Sequence, residues 1–290
     1  MSGQLKDLHR EVEALKRTQK VIHVNEISTM SRINRILRKA EKAASYQKSV
    51  LTTLKQLASR IETPISTVNE DKPKLVIIVT SNRGFCGSYN IDVVQKSKEV
   101  LEGLEKKPKL LVIGRQGYKN LQREGHNIVE YIDKPVEDIT LEDTAELTSK
   151  VLQEIHDGEI SSIEIIYTKY EDALHSTVTE SNLFPLDAIQ EEDEEVEDLD
   201  GILDFEEDEE EILSLLSENY LCGLLYNLLL SSVASEYCAR RMAMYLARES
   251  IQERLRSVIQ LEHKEKMQAS TRELFDIITS ARAIGENENE

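Results

Sequence analysis

The segment Ser81-Asn-Arg-Gly-Phe-Cys-Gly-Ser-Tyr-Asn90 gathers a thiol, a guanidinium, hydroxyls and two glycines within ten residues. It follows a short apolar, β-branched run and precedes a helical pattern, the place where α/β folds often hold phosphate on a helix N-terminus. Its two glycines fit neither the G-x-G-x-x-G nor the P-loop spacing, and no acid stands at a supported ribose-binding position. Cys86 as a nucleophile would need a base, and His23, His126 and His175 have no legible relation to it. The simpler reading is a tight structural turn that encloses a small apolar thiol. The six histidines show no H-x-x-x-H or H-E-x-x-H spacing that would hold zinc. Cys86, Cys222 and Cys238 are odd in number and far apart, which excludes a disulfide framework and a C-x-x-C motif. Buried thiols in a reducing compartment are expected. No metal and no cofactor are implied.

Charge is distributed unevenly. Between Asp187 and Glu211 stand sixteen Asp/Glu and no Lys/Arg, so the rest of the chain carries about −2 of the formal −18. That run lacks the D-x-D-x-D-G-x5-E register of a calcium loop and reads as a solvated, self-repelling linker. From Lys6 to Arg60 the balance reverses, with thirteen Lys/Arg against five acids and a cluster at Arg32, Arg35, Arg38, Lys39 and Lys42. So little aromatic content makes nucleic acid a poor partner. An acidic protein surface is a better match for this face.

The elements that position these groups are marked by missing helix breakers. Neither Gly nor Pro occurs from Gln4 to Thr63 or from Leu224 to Ile284, which predicts two helices several times the average length. Leu5, Leu8, Val12, Leu15, Ile22, Met30, Ile33 and Leu37 mark the first. Leu225, Leu229, Val233, Met244, Ala247, Ile251, Leu255 and Ile259 mark the second. Such narrow stripes suit an antiparallel two-stranded coiled coil, first helix against last. Between them, strands are expected at Lys74–Thr80, Leu110–Gly114, Asn127–Ile132, Ser162–Thr168 and Ser176–Leu186. Helices are expected at Ile91–Lys106, Tyr118–Arg123 and Leu141–His156. The fold class is therefore an α/β knob, Rossmann-like with a mainly parallel sheet, inserted between two long helices forming an antiparallel coiled coil. The division expected is 1–63 first shaft helix, 72–187 α/β foot, 188–211 acidic linker and 212–290 second shaft helix. Polar breaks such as Gly223, Tyr226 and Asn227 keep the apolar run Leu221–Val233 short of the roughly 18–20 residues of a membrane span. The first residues carry no apolar leader and no transit character, and a bacterial cytoplasmic setting is the simplest expectation.

Thr80-Ser-Asn-Arg-Gly-Phe-Cys-Gly-Ser-Tyr-Asn90 resembles the T-S-D-R-G-L-C-G-G-L-N segment of F-type ATP synthase γ subunits. Ala234-Ser-Glu236, Ala239-Arg240 and Ala243-Met244 resemble the same family's A-S-E-x-x-A-R-x-x-A-M. Ser270-Thr-Arg-Glu-Leu274, Asp276-Ile277, Ser280-Ala281 and Ala283 resemble its C-terminal ending. Further matches are Thr18-Gln-Lys20, Gly114-Arg115 with Gly117, Leu183-Phe-Pro185, and Leu203-Asp-Phe-Glu206 followed by Ile212-Leu213. They lie in order along nearly the whole chain.

The resemblance implies a central rotor shaft inside a hexamer of α and β subunits, with a foot that meets the ε subunit and the membrane c-ring. It implies peripheral attachment at the cytoplasmic face of a bacterial plasma membrane and no catalytic site in this chain. By the same resemblance Lys20, Arg240, Arg248 and Glu249 face the β-subunit catch, as does Asn25. Residues 271–283, including Thr271 and Glu273, lie in the apolar bearing. The sequence departs from the family pattern at His23 and Asn25, at Asn82, and at Ala247-Arg-Glu-Ser250, and its acidic run is longer than the usual linker. The thiol-pair insert of chloroplast relatives is absent, so no redox switching is expected. Two alternatives remain open from the residues: a γ-like shaft of a specialised or otherwise non-standard ion-pumping F-type ATPase, and an α/β nucleotide-binding enzyme with a coiled-coil dimerisation arm.

Overall fold

The computed structural model describes residues 3–58, 71–185 and 209–287, with no side-chain account for 58, 209–211 and 281–287. The acidic run up to residue 208 and the expected helix end at 59–63 lie outside the described residues. Helix α1 spans Gly3–Ala58 and helix α5 spans Glu209–Asn287, 56 and 79 residues without interruption. Neither helix contains Pro, and their glycines are few, Gly3 at the start of α1 with Gly223 and Gly285 in α5, so the backbone ladder runs on unbroken. Between them lie β1 (Leu75–Val79), α2 (Tyr89–Gly103), β2 (Lys109–Ile113), α3 (Arg115–Arg123) and β3 (Ile128–Ile132). A short 3-10 turn at Val136–Asp138, α4 (Leu141–His156), β4 (Ile163–Tyr170) and β5 (Ser176–Phe184) follow. The chain divides into two compact units, one holding α1 up to Thr29 with α5 from Ala243 on, the other running from Met30 to Met242.

In the second unit the five strands lie in the order β3-β2-β1-β4-β5. β1 is parallel to both β2 and β4, β2 is parallel to β3, and β5 runs antiparallel to β4 as an edge hairpin. All five β1 residues are buried, because a central parallel strand is covered on both faces. Val76, Ile78, Leu110, Val112 and Ile166 face α2 and α3, packing on Val93 and Leu121. Leu75, Ile77, Val79, Leu111, Ile113 and Ile165 face α4 and the long helices.

That second layer corrects the expectation of a narrow shaft stripe on α5. Leu221, Leu225, Leu229, Leu230, Val233, Ala234, Tyr237 and Cys238 all enter one core with the sheet, together with Ile33 and Ile36 of α1. So wide a stripe belongs to a helix in a layered core rather than to a coiled-coil seam. It also bears on membrane topology. By length and composition the stretch Ile212–Ser280 is long and apolar enough to cross a membrane. Of its most apolar part 39% is buried, and Leu221, Leu225, Leu229, Leu230 and Val233 pack in the core with the sheet. Further along the pair, Leu54 and Leu57 close on Leu213 and Tyr220.

The first unit is a helix pair. His9 bonds Glu262 (2.9 Å), Glu11 bonds Arg254 (2.8 Å) and Glu26 bonds Arg248 (2.9 Å). Partner numbers fall as α1 numbers rise, so the two helices run antiparallel. The buried seam is narrow here: Leu5, Val12 and Ile22 from α1, with Met244 and Val258 from α5.

Helix α4 starts on a reciprocal cap. The Asp143 backbone N–H donates to the Thr140 hydroxyl (3.1 Å), and the Asp143 carboxylate accepts from the Thr140 N–H (2.7 Å). The Lys134 ammonium, then the Thr140 donors, hold the Asp143 carboxyl down to about 2. Thr140→Ala is expected to cost about 1 kcal/mol in denaturant melts. Because the folded-state pKa is depressed, the carboxylate's stabilising share is complete above the ordinary carboxylate range and fades as pH falls from about 4 towards 2. Asp143→Asn should flatten that part of the pH–stability curve, which an acid titration of melting temperature reads directly.

Candidate partner interface

The turn after β1 spends its polar groups on itself. The Ser81 N–H donates to Asn90 Oδ1 (2.9 Å), the Ser81 hydroxyl to the Arg83 carbonyl (2.6 Å), and Asn90 Nδ2 to the Ser81 hydroxyl (2.8 Å) and Cys86 Sγ (3.0 Å). Cys86 is buried and burial pushes its thiol up, the opposite of an activated nucleophile. Asn82, which stands where the family pattern has Asp, is bonded on both sides. Its Nδ2 donates to the Asp133 carbonyl (2.8 Å) and its Oδ1 accepts from the Arg115 N–H (2.8 Å). Phe85 sits at φ 61° with its ring outside, 83% exposed.

In an open α/β sheet the ligand crevice lies beyond the strand ends where the order reverses, here between β1 and β4. Helix α5 fills that place. The Ser232 hydroxyl bonds the buried Tyr89 hydroxyl (2.7 Å), the Ser235 hydroxyl donates to the Thr168 carbonyl (3.2 Å), and Ser231 Oγ accepts from the Tyr170 N–H (2.8 Å). The crevice that would serve a nucleotide enzyme is occupied by the chain's own serines. Ser235 lies in the quoted Ala234-Ser-Glu236 motif, whereas Ser231 and Ser232 lie in none; buried serines on an otherwise apolar helical stripe are the signal that could have found them.

One turn further along α5 is a charged cluster. Arg240 bonds Glu236 (2.6 Å), and each side chain is 12% exposed. Burial pushes the Glu236 carboxyl up, against the pull of Arg240. The Tyr237 ring lies between two guanidiniums, Arg240 at 5.2 Å and Arg32 at 5.8 Å from its centroid. Arg32 also donates to the Tyr237 hydroxyl (2.8 Å) and to both oxygens of Glu137 (2.9 and 3.1 Å). Beside it a cleft of about 270 Å³ is lined by Arg32, Arg35, Lys39, Arg83, Glu137 and Asp138. Of the residues expected to face a partner, Arg240 is therefore turned inward.

The others fall in the helix-pair unit. Lys20 and Asn25 are exposed on α1, and Glu249, Thr271 and Glu273 are exposed on α5. Arg248 is half-buried, bonded to Glu26 and lying 5.2 Å from the Tyr245 ring. The structure thus brings Arg248 beside the residue that follows Asn25, and leaves Thr271 and Glu273 further along α5. The same unit exposes many large apolar side chains: Val21, Val24 and Ile27 on α1, and Tyr245, Leu246, Met267, Leu274, Phe275, Ile277 and Ile278 on α5. Two helices bury one seam between them, so apolar residues in such number mark a surface built to be covered.

Comparison with known proteins fits this geometry. A family model described as ATP synthase matches residues 4–284. The ATP synthase gamma chain of Pelagibacter ubique (strain HTCC1062) is 27% identical over 291 residues, covering 97% of this chain and 99% of that one. The chain belongs to the ATP synthase γ-subunit family. It is a central-stalk subunit of an F-type ATP synthase, one component of an enzyme complex. Solved structures share its fold. A chain in the cryo-EM structure of Euglena gracilis mitochondrial ATP synthase (OSCP/F1/c-ring, rotational state 3) superposes with a TM-score of 0.69 at 16% identity, covering 99% of this chain and 97% of that one. A chain of the Tetrahymena thermophila mitochondrial ATP synthase central stalk/c-ring gives a TM-score of 0.59 at 20% identity, covering 78% of this γ-family chain and 99% of the other.

Proposed function

We propose that this chain performs no chemistry of its own and transmits torque between a membrane ion-driven rotor and the catalytic α/β hexamer. The observation that carries this reading is the antiparallel pair of long helices with its rows of exposed apolar side chains. A single asymmetric shaft must meet three equivalent catalytic subunits differently at any moment. Different contact free energies bias each of them towards an open or a closed state, so rotation drives the sites through binding and release in turn. Residues 271–283 would sit in the apolar bearing of the hexamer. Lys20, Asn25, Arg248 and Glu249 would meet its β subunits on the outer face of the helix pair. Arg240, three residues past Tyr237 on α5, would act mainly from within. The foot would meet ε and the c-ring, and the subunit would be held peripherally at the cytoplasmic face of a bacterial plasma membrane.

Reconstitution with α and β tests the proposal. The expected complex holds one copy of this chain with three α and three β, and ATP drives rotation of a bead fixed to its foot. Equal stoichiometry with β, or nucleotide binding by the chain alone, would overturn it.

A further inference from the structure

The apolar contacts between α1, α5 and the sheet hold by area and carry no direction. A torsional load on a helix pair acts as shear along such contacts, and packing of leucine and valine on one another resists sliding only by shape. Directional bonds that cross between elements do fix a register. Within the α/β unit one cluster does this across three segments far apart in sequence. Arg32 on α1 donates to Tyr237 on α5 (2.8 Å) and to Glu137 in the 3-10 turn after β3 (2.9 and 3.1 Å). The Tyr237 ring also meets Arg240, 5.2 Å from its centroid, which is itself fixed by Glu236 at 2.6 Å. Tyr237 is 5% exposed, so water competes little for these bonds.

We propose that Tyr237, held between Arg32 and Arg240, is a positioning residue that locks the register of α1 on α5 and on the foot, so that torque passes without slip. The proposal rests on the torque-transmitting reading above. Removing the ring takes away the partner of two guanidiniums at once; Arg32 keeps its bond to Glu137 of the foot, but the directional bond that ties α1 to α5 at this point is lost. Tyr237→Phe keeps the ring between the guanidiniums and removes only the hydroxyl bond. The two substitutions therefore grade the joint.

The test uses the assembled complex in inverted membrane vesicles, measuring subunit stoichiometry, ATP hydrolysis and ATP-driven ion transport on the same preparation. Tyr237→Ala is expected to keep wild-type stoichiometry and hydrolysis within twofold, while ion transport per ATP falls at least fivefold. Tyr237→Phe should lie between the two. A transport-to-hydrolysis ratio equal to wild type in Tyr237→Ala overturns the joint. If Tyr237→Ala does not assemble, Tyr237→Phe and Arg32→Lys decide in its place, and unchanged ratios in both overturn it. If the wild-type chain itself fails to assemble with α and β, it is the torque-transmitting reading that falls, which separates the two failures.

Discussion

Gly114→Ala is expected to remove most of the stability of the α/β unit. Gly114 ends β2 at φ +97°, a conformation costly for any residue with a β-carbon. A Cβ built there would stand 2.0 Å from the Thr80 carbonyl oxygen. That atom is backbone at the end of the central strand, so it cannot move aside without breaking the Thr80 N–H bond to Ile113 (2.8 Å). Backbone strain of about 1–3 kcal/mol and overpacking of similar size add to roughly 4 kcal/mol, a large share of the 5–15 kcal/mol typical of a domain. Gly125→Ala is the control. It too has positive φ, +79°, but nothing lies within 4 Å of its added Cβ, so a loss of about 1–2 kcal/mol is expected. Gly117→Ala separates the causes further. Its Cβ would meet Thr80 Oγ1 at 2.7 Å and Cγ2 at 2.8 Å, and Thr80→Ala removes both atoms. The double variant should be more stable than the two single losses add up to. Chemical denaturation of the purified chains reads all five variants, the Thr80→Ala single included, and a Gly114→Ala loss no greater than that of Gly125→Ala would refute the steric account.

The Thr80–Gly114–Gly117 contact shows what was legible from residues and why. Gly114 and Gly117 stand in the sequence only as part of the family resemblance, and the structure supplies their physical reason: only glycine tolerates the close approach of Thr80 found there. β1 was legible because a strand covered on both faces must be apolar at every position, as Leu75 to Val79 are. The long helices were legible through the absence of breakers, although an unbroken helix carries no mark of where it changes neighbours. The α5 stripe widens between Tyr220 and Cys238 because there the helix serves the sheet, and narrows to Met244 and Val258 because there it serves α1 alone. Both widths are written in the residues, yet a periodicity sum averages over them. The charged cluster was beyond reach for another reason. Arg32, Glu137 and Tyr237 meet through tertiary topology, and no spacing along the chain relates them. Arg240, expected to point at a partner by its place in a motif, is drawn inward by a buried carboxylate one turn earlier.

That buried pair leads to the second large effect. Arg240→Ala leaves Glu236 in an environment that already pushes its carboxyl up and removes the cation that offsets the burial. Breaking a buried ion pair by deleting one partner costs about 3–5 kcal/mol, and the slight exposure of both side chains places the expected loss near the lower end. The sign of the pH dependence follows from the direction of the shift. A carboxyl whose folded-state pKa lies above its unfolded value binds its proton more tightly when folded. It therefore favours the fold below the ordinary carboxylate range and loses that contribution as pH rises through the raised folded value. Arg240→Ala should accordingly be closest to wild type near pH 4.5 and fall further behind by pH 7.5. Glu236→Gln added to it removes the charge that has lost its partner, and should recover much of the stability at pH 7.5 and little at pH 4.5. Melting temperatures of the three chains at the two pH values settle the matter. An Arg240→Ala deficit independent of pH would mean that the lost guanidinium acted through its stacking on Tyr237, with the carboxylate already relieved by another donor.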